Sequence, residues 1–195
     1  IESAMEDSRG YLWLCTAGGI SRFDGKNFVN FDVKDGLPVS HCDEMIEDKK
    51  GCLWISTRFG LSMFNGKKFT NYRFPDTSIT TYFANLRQDK DGVIRCLMGG
   101  NFYKVQNDVL VKDKKPYGFE DSAVWNYLKL ENGSEVITLY GAAAYIRNKE
   151  GKTEVLMDQY GNGVLRCRQD PKDKDAIYFA CPKGIFHWKK GILRR

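Results

Sequence analysis

Histidine is scarce: the chain of 195 residues has two, His41 and His187. A catalytic histidine repeated around a symmetrical site is excluded by that count. No apolar run reaches the roughly 18 residues that a membrane helix needs, and no signal peptide is visible. The chain therefore reads as a fragment whose contact with a membrane runs only through parts outside it. Long helical stripes are also missing, which argues for an all-β chain. The cysteines at 15, 42, 52, 96, 167 and 181 form no C-x-x-C pair, so a zinc or dithiol motif is not expected. Cys15, Cys96 and Cys181 fall within apparent strands, where a free thiol behaves as a small apolar residue, and mostly reduced thiols are expected. Strong charge of one sign is lacking too. The net charge is +5, from 30 basic and 25 acidic residues. The lysines gather in turns (Lys26, Lys49, Lys50, Lys67, Lys68) rather than on one face, so no nucleic-acid surface is expected.

Metal and cofactor motifs are equally thin. "DKDG" at 89–92 resembles the start of a calcium loop, but Arg87 and Met98 stand where further ligands are needed. "DPKDKDA" at 170–176 reads as a solvated loop. The expected metal content is none, the expected cofactor is none, and no catalytic residue is assigned.

What the chain has is repetition. "DSRGYLWLCTAGGISRFDGKNFVNF" at 7–31 and "DKKGCLWISTRFGLSMFNGKKFTNY" at 48–72 agree at 12 of 25 positions, and Trp54 follows Trp13 by 41 residues. Asp89, Gly92 and Ile94 continue that period with Arg95 in place of the Trp, and Gly133 carries it further. In a last copy Ile177 precedes Gly184 as Leu12 precedes Gly19. Just under five units result, roughly 1–42, 43–83, 84–122, 123–163 and 164–195, the fifth expected to lack its final strand. A period in the 20–50 residue range signals a solenoid, propeller or array.

Each unit reads as four short strands. "EMIED", "CLWIST", "GLSMF" and "KKFTNY" alternate or are β-rich, and Gly, Asn and Asp bound them. Asp24-Gly25 and Asn65-Gly66 suit type I′ hairpin turns, which need positive φ at both central residues. Four strands per unit is the spacing of a β-propeller blade, and stacked blades bury both faces of each sheet. The expected fold is all-β, a partial propeller in one array over 1–195, with Trp13 and Trp54 packed between blades.

"GYLWLCTAGGISRFDGKNFVNF" and "GCLWISTRFGLSMFNGKKFTNY" resemble the two-component regulator propeller repeat, G-x-LW-[IV]-G-T-x-x-G-L-x-R-[FY]-D-G-x-x-F. The family's small Gly before Thr is Cys15 in the first copy and Ser56 in the second. "KDGLPVS" at 34–40 resembles the family's connection between blades. The resemblance implies the periplasmic sensor part of a bacterial hybrid two-component protein. In that family an oligosaccharide is often the ligand, and a histidine kinase lies beyond a membrane helix. No kinase box is present in this chain. An enzyme of the lyase or glycoside hydrolase kind, with paired carboxylates around the channel, is the alternative; a purely structural dimerisation segment is another.

In a four-stranded meander the turns between strands two and three emerge at one end, with the connections to the next blade. Recognition is expected there, since loops on a rigid scaffold carry function. The candidate ligand-binding residues are Arg58, Phe59, Tyr82, Asn101 and Tyr140, chosen because sugars favour aromatic faces and polar forks. Two partners are expected: an oligosaccharide, and a second copy through the terminal blades, whose open faces and edges invite pairing.

Overall fold

Strand patterning of period two, broken by glycine turns, folds here into five separate four-stranded antiparallel sheets. The computed structural model describes residues 1–75, 85–116, 118–139, 143–157 and 166–195. Sheet one holds β1 (Ser3–Glu6), β2 (Leu12–Thr16), β3 (Gly19–Phe23) and β4 (Phe28–Phe31). Sheet two holds β5 (Cys42–Glu47), β6 (Leu53–Thr57), β7 (Gly60–Phe64) and β8 (Phe69–Arg73). Sheet three holds β9 (Arg87–Gln88), β10 (Ile94–Met98), β11 (Asn101–Gln106) and β12 (Val109–Asp113). Sheet four holds β13 (Val124–Lys129), β14 (Glu135–Leu139), β15 (Ala144–Arg147) and β16 (Thr153–Met157). Sheet five holds β17 (Arg166–Gln169), β18 (Ala176–Cys181), β19 (Gly184–Lys189) and β20 (Ile192–Arg194). Each sheet is a meander in chain order, the arrangement of a propeller blade. Among the described residues the only helix is a 3-10 turn at Val33–Asp35.

The fifth unit corrects one expectation. It does have its outer strand: β20 pairs with β19 through His187–Arg194, Trp188–Leu193 and Lys189–Ile192. Three residues suffice because Lys190 and Gly191, both at positive φ (48° and 83°), close a two-residue turn.

The chain divides into two compact units, Ile1–Lys115 with sheets one to three and Pro116–Arg195 with sheets four and five. In the first, Trp13, Cys15 and Ile20 of sheet one pack against Leu53, Ile55 and Phe64 of sheet two. Trp54, Leu61 and Tyr72 of sheet two then pack against Ile94, Cys96 and Tyr103 of sheet three. Both Trp are buried, as the sequence predicts. In the second unit Leu130, Val136 and Ala144 of sheet four meet Cys167, Ile177 and Phe179 of sheet five.

One polar pair recurs in this packing. The Trp13 indole donates to Asp7 Oδ2 (2.9 Å), and the Trp54 indole donates to Asp48 Oδ2 (2.9 Å). The other carboxylate oxygen closes the turn between strands one and two, accepting from Arg9 and Tyr11 amides in one copy and Lys50 and Cys52 amides in the next. In sheet three Arg95 takes the Trp position and donates to Asp89 Oδ2 at 2.9 Å. In sheet four both partners are apolar, Leu130 and Val136, and both are buried. Sheet five uses Tyr178, hydrogen-bonded to Asp170.

Neighbouring sheets are also tied by hydrogen bonds that keep the period. Ser8 N donates to Glu47 Oε2 (2.7 Å), and 41 residues later Lys49 N donates to Gln88 Oε1 (2.9 Å). The turns between strands one and two thus lie together on sheets one to three. The turns between strands two and three lie together at the opposite end.

The hairpins at 24–27 and 65–68 differ from the expected type I′ form. Gly25 and Gly66 do have positive φ (95° and 89°), but Asp24 and Asn65 do not. Their side chains instead accept two backbone amides each, from Lys26 and Asn27 and from Lys67 and Lys68. Side-chain capping of this kind replaces the left-handed first residue. Paired positive φ occurs at Asn107 and Asp108 instead.

A second glycine position is set by close approach. A Cβ on Gly60, at φ 145°, would stand 1.8 Å from the Tyr72 carbonyl oxygen, and one on Gly19 would stand 2.2 Å from that of Phe31. A Cβ on Gly66 meets nothing within 4 Å. Gly66→Ala should therefore cost roughly 1–2 kcal/mol, the left-handed penalty alone. Gly60→Ala should cost roughly 2–5 kcal/mol, because overpacking adds to that penalty. Urea denaturation of both variants measures the difference, and equal losses would contradict the close approach.

Candidate functional site

The turn between β6 and β7 is built by one hydroxyl. Thr57 Oγ1 donates to the Gly60 carbonyl (3.1 Å) and accepts from the Phe59 amide (3.3 Å). The Phe59 carbonyl then accepts the Phe74 amide at 3.0 Å, which fastens the turn to the chain leaving the sheet. The turn is rigid, yet the Phe59 side chain is 52% exposed. In sheet one the same Thr-anchored turn carries Ala17 and Gly18 at these two positions. Arg58 and Phe59 are thus particular to the second copy.

Asn101 stands at the start of β11, paired with Met98 across the turn formed by Gly99 and Gly100. Its side-chain amide points back to the Gly99 carbonyl at 3.4 Å. This turn lies at the same end of sheet three as the Arg58–Phe59 turn of sheet two. Tyr82 and Tyr140 lie outside the described residues.

The structure adds a feature at this end that the sequence reading missed. Strand β5 has a β-bulge: Cys42 pairs with Thr57 and Glu44 with Ser56, which leaves Asp43 as the extra residue. Ser56 Oγ fills the gap in the ladder, accepting the Glu44 amide (3.0 Å) and donating to the Glu44 carbonyl (3.2 Å). Bulges re-aim side chains and gather beside functional sites. Sheet four has the same device, with a bulge at Trp125 and Thr138 Oγ1 accepting the Asn126 amide at 3.0 Å. A small hydroxyl residue on the second strand, two residues after the Trp position, is the sequence signal that marks it.

Asp43 is buried, and its Oδ1 lies 3.1 Å from His41 Nε2. Its Oδ2 has no hydrogen-bond partner. Burial raises its pKa, while the neighbouring His41 and Arg58 charges act in the other direction. Glu44, also buried, accepts the Leu86 amide at Oε2 (2.9 Å) and so positions the entry to sheet three. Asp7 differs in kind. Burial acts to raise its pKa, but the bonds from Trp13, Tyr11 and Arg9 outweigh it and hold the carboxyl below the ordinary range. The repeated aspartates are scaffold; Asp43 is the carboxylate that the scaffold does not use.

The arrangement offers an exposed aromatic ring, a guanidinium on the same turn, and a carboxylate–imidazole pair on the adjacent strand. Among the described residues no group of three or more metal-ligating side chains occurs. Burial pushes the Cys15, Cys42, Cys96 and Cys167 thiols up to about 12, which keeps these four protonated at neutral pH.

These meanders define the chain as a β-propeller by fold, and solved structures agree. The virginiamycin B lyase of Staphylococcus aureus superposes with a TM-score of 0.72 at 13% identity, over 98% of this chain and 67% of that one. Two extracellular domains assigned to hybrid two-component systems of B. thetaiotaomicron superpose at 0.68 and 0.67, with 19% and 16% identity. They cover 98% and 94% of this chain, which spans only 28% and 26% of their length. No family model matches the chain, and no curated protein sequence does. At such identities the likeness is one of fold. No helix among the described residues is long and apolar enough to cross a membrane.

Two outcomes follow. Because the folded-state pKa of Asp43 is raised, its protonated form is favoured by folding, and its contribution to stability is lost as pH rises through that pKa. Asp43→Asn should therefore raise the melting temperature at pH 7, and the gain should shrink as pH falls towards the ordinary carboxylate range. Thermal scans across that range check this; a gain independent of pH would contradict it. In a thiol titration of the native protein the half-buried Cys52 should react first, and the four thiols near 12 only after denaturation.

Proposed function

We propose that this chain is the ligand-recognising part of an extracytoplasmic sensor of a hybrid two-component system. It takes an oligosaccharide at the turn end of sheets two and three, and the signal passes to a histidine kinase outside these residues. The observation that carries the reading is Phe59. An aromatic ring that is half exposed, on a turn held from both sides by hydrogen bonds, keeps apolar surface in solvent at a fixed place, and a sugar face stacks on such a ring. Arg58 beside it supplies a fork of donors for hydroxyl or carboxyl groups. Two supports stand behind this. The two clear copies, which agree with each other at 12 of 25 positions, both resemble the repeat of two-component propellers. The fold is shared with extracellular domains assigned to such systems. An extracytoplasmic, periplasmic location goes with the same reading.

Titration calorimetry of the chain against a panel of neutral and acidic oligosaccharides tests the proposal. Phe59→Ala should weaken binding about 10-fold or more, about 1.4 kcal/mol, with the melting temperature unchanged because the ring is exposed. Absence of binding across the panel would sink the saccharide reading. The enzyme alternative predicts turnover of a saccharide or of virginiamycin B, lost in His41→Ala; turnover would replace the sensor reading.

A further inference from the structure

Two Asn-Gly pairs stand in described turns: Asn65-Gly66 in the hairpin between β7 and β8, and Asn132-Gly133 between β13 and β14. In each pair the glycine amide nitrogen is the main-chain nucleophile next to the asparagine side-chain carbonyl, and glycine has no Cβ to shield it. The two turns hold these groups differently.

At Asn65 the electrophile is prepared. Its Oδ1 accepts the Lys67 and Lys68 amides, each at 3.0 Å. Both partners are N–H donors, which settles which end of the side chain is oxygen. Two donors on one carbonyl oxygen draw charge from Cγ and stabilise the oxyanion formed when a nucleophile adds there. The nucleophile is at liberty. The Gly66 amide has no hydrogen-bond partner among the described residues. Positions 65–68 are all exposed, and a Cβ on Gly66 would meet nothing within 4 Å. The hairpin is closed instead by the Asn65 amide, which donates to the Lys68 carbonyl at 3.3 Å.

At Asn132 both halves are weaker. Its Oδ1 accepts one amide, that of Ser134 at 2.9 Å. The Gly133 amide is engaged, donating to the Leu130 carbonyl at 3.0 Å. Gly10 makes the same bond to Asp7 and Gly51 to Asp48, so this amide is committed to the scaffold of the turn.

The first copy shows what position 65 tolerates. Asp24 stands at the matching place, 41 residues earlier. Its Oδ1 accepts the Lys26 and Asn27 amides at 2.8 and 2.7 Å. The Asn27 and Lys26 amides hold that carboxyl below the ordinary range, so a carboxylate suits this cradle.

We propose that Asn65 is a site of spontaneous deamidation, and that the folded hairpin directs the reaction there in preference to Asn132. The Gly66 nitrogen bonds to Asn65 Cγ and gives up its proton. The Cγ–Nδ2 bond then breaks, ammonia leaves, and a cyclic succinimide remains. Water opens the ring, to aspartate at one carbonyl or to isoaspartate at the other. Aspartate keeps the turn on the pattern of Asp24. Isoaspartate adds a methylene to the main chain and disturbs the pairing of Phe64 with Phe69 beside it. The site is independent of the saccharide reading.

Peptide mapping by mass spectrometry tests this on the whole chain, held at mildly alkaline pH and sampled over days. Exchange of NH2 for OH marks each converted asparagine. In the native chain Asn65 should convert about 10-fold faster than Asn132, or more, because it has the extra donor and the unengaged amide. In urea the two rates should converge, because both turns are lost. Asn65→Asp should keep the circular dichroism and melting temperature of the wild type. Equal native rates, faster conversion at Asn132, or a preference that persists unchanged in urea would overturn the proposal. A lowered melting temperature in Asn65→Asp would overturn the likeness to Asp24.

Discussion

A carboxylate in the turn between the first two strands of a sheet holds an indole from the second strand, and the stacking of sheets depends on that bond. A Trp buried between two sheets brings an N–H that needs an acceptor. Asp7 and Asp48 supply it with one oxygen and close the turn with the other. The bond joins the local and the tertiary levels, since turn, strand position and sheet packing are set by one side chain. The later copies show how the constraint can be met otherwise. Arg95 keeps the aspartate and replaces the indole by a guanidinium, which bonds to Asp89, Asp91 and Asp113. The bond to Asp91 leads in holding its pKa above the ordinary value. Leu130 and Val136 remove both ends together, which is nearly neutral, whereas removing one end leaves a buried group unsatisfied.

With the scaffold satisfied in this way, Asp43 Oδ2 is a buried carboxylate oxygen left without a hydrogen-bond partner, at the end of sheet two that carries the turn between its second and third strands. Asp43, displaced from strand alternation by its bulge, shares that end with Arg58 and Phe59. The bulge exists because Ser56 can replace a ladder bond with a hydroxyl. A small residue two places after the Trp is therefore more than a packing choice. A hydroxyl there lets the first strand of sheets two and four turn a side chain out of register, and Cys15 at the same place in sheet one has no hydroxyl to do so.

The reading from sequence held where local chemistry and tertiary packing ask for the same residue. Trp13, Trp54, the glycines of the turns and the four-strand period are of this kind, because a blade needs them wherever it stands. It missed where the two levels part. Asp24 and Asn65 look like the first residue of a type I′ turn, but their side chains cap the next amides and remove the need for positive φ. The last strand of sheet five was overlooked because three residues give no alternation to recognise; Lys190 in the left-handed region closes that hairpin where a glycine would be expected. Asp43 could not be picked out, since a bulge is a relation between two strands and appears in neither one alone.

By itself the sequence determined the sheets: period, strand alternation and turn glycines are local or near-local properties, and copies 41 residues apart reinforce one another. Only the tertiary structure decided which polar groups are left without a partner. Whether an aspartate belongs to scaffold or site depends on a partner across a sheet. The indole that claims Asp7 and the unclaimed oxygen of Asp43 come from the same residue type in the same chain, and burial with or without a donor is what separates them.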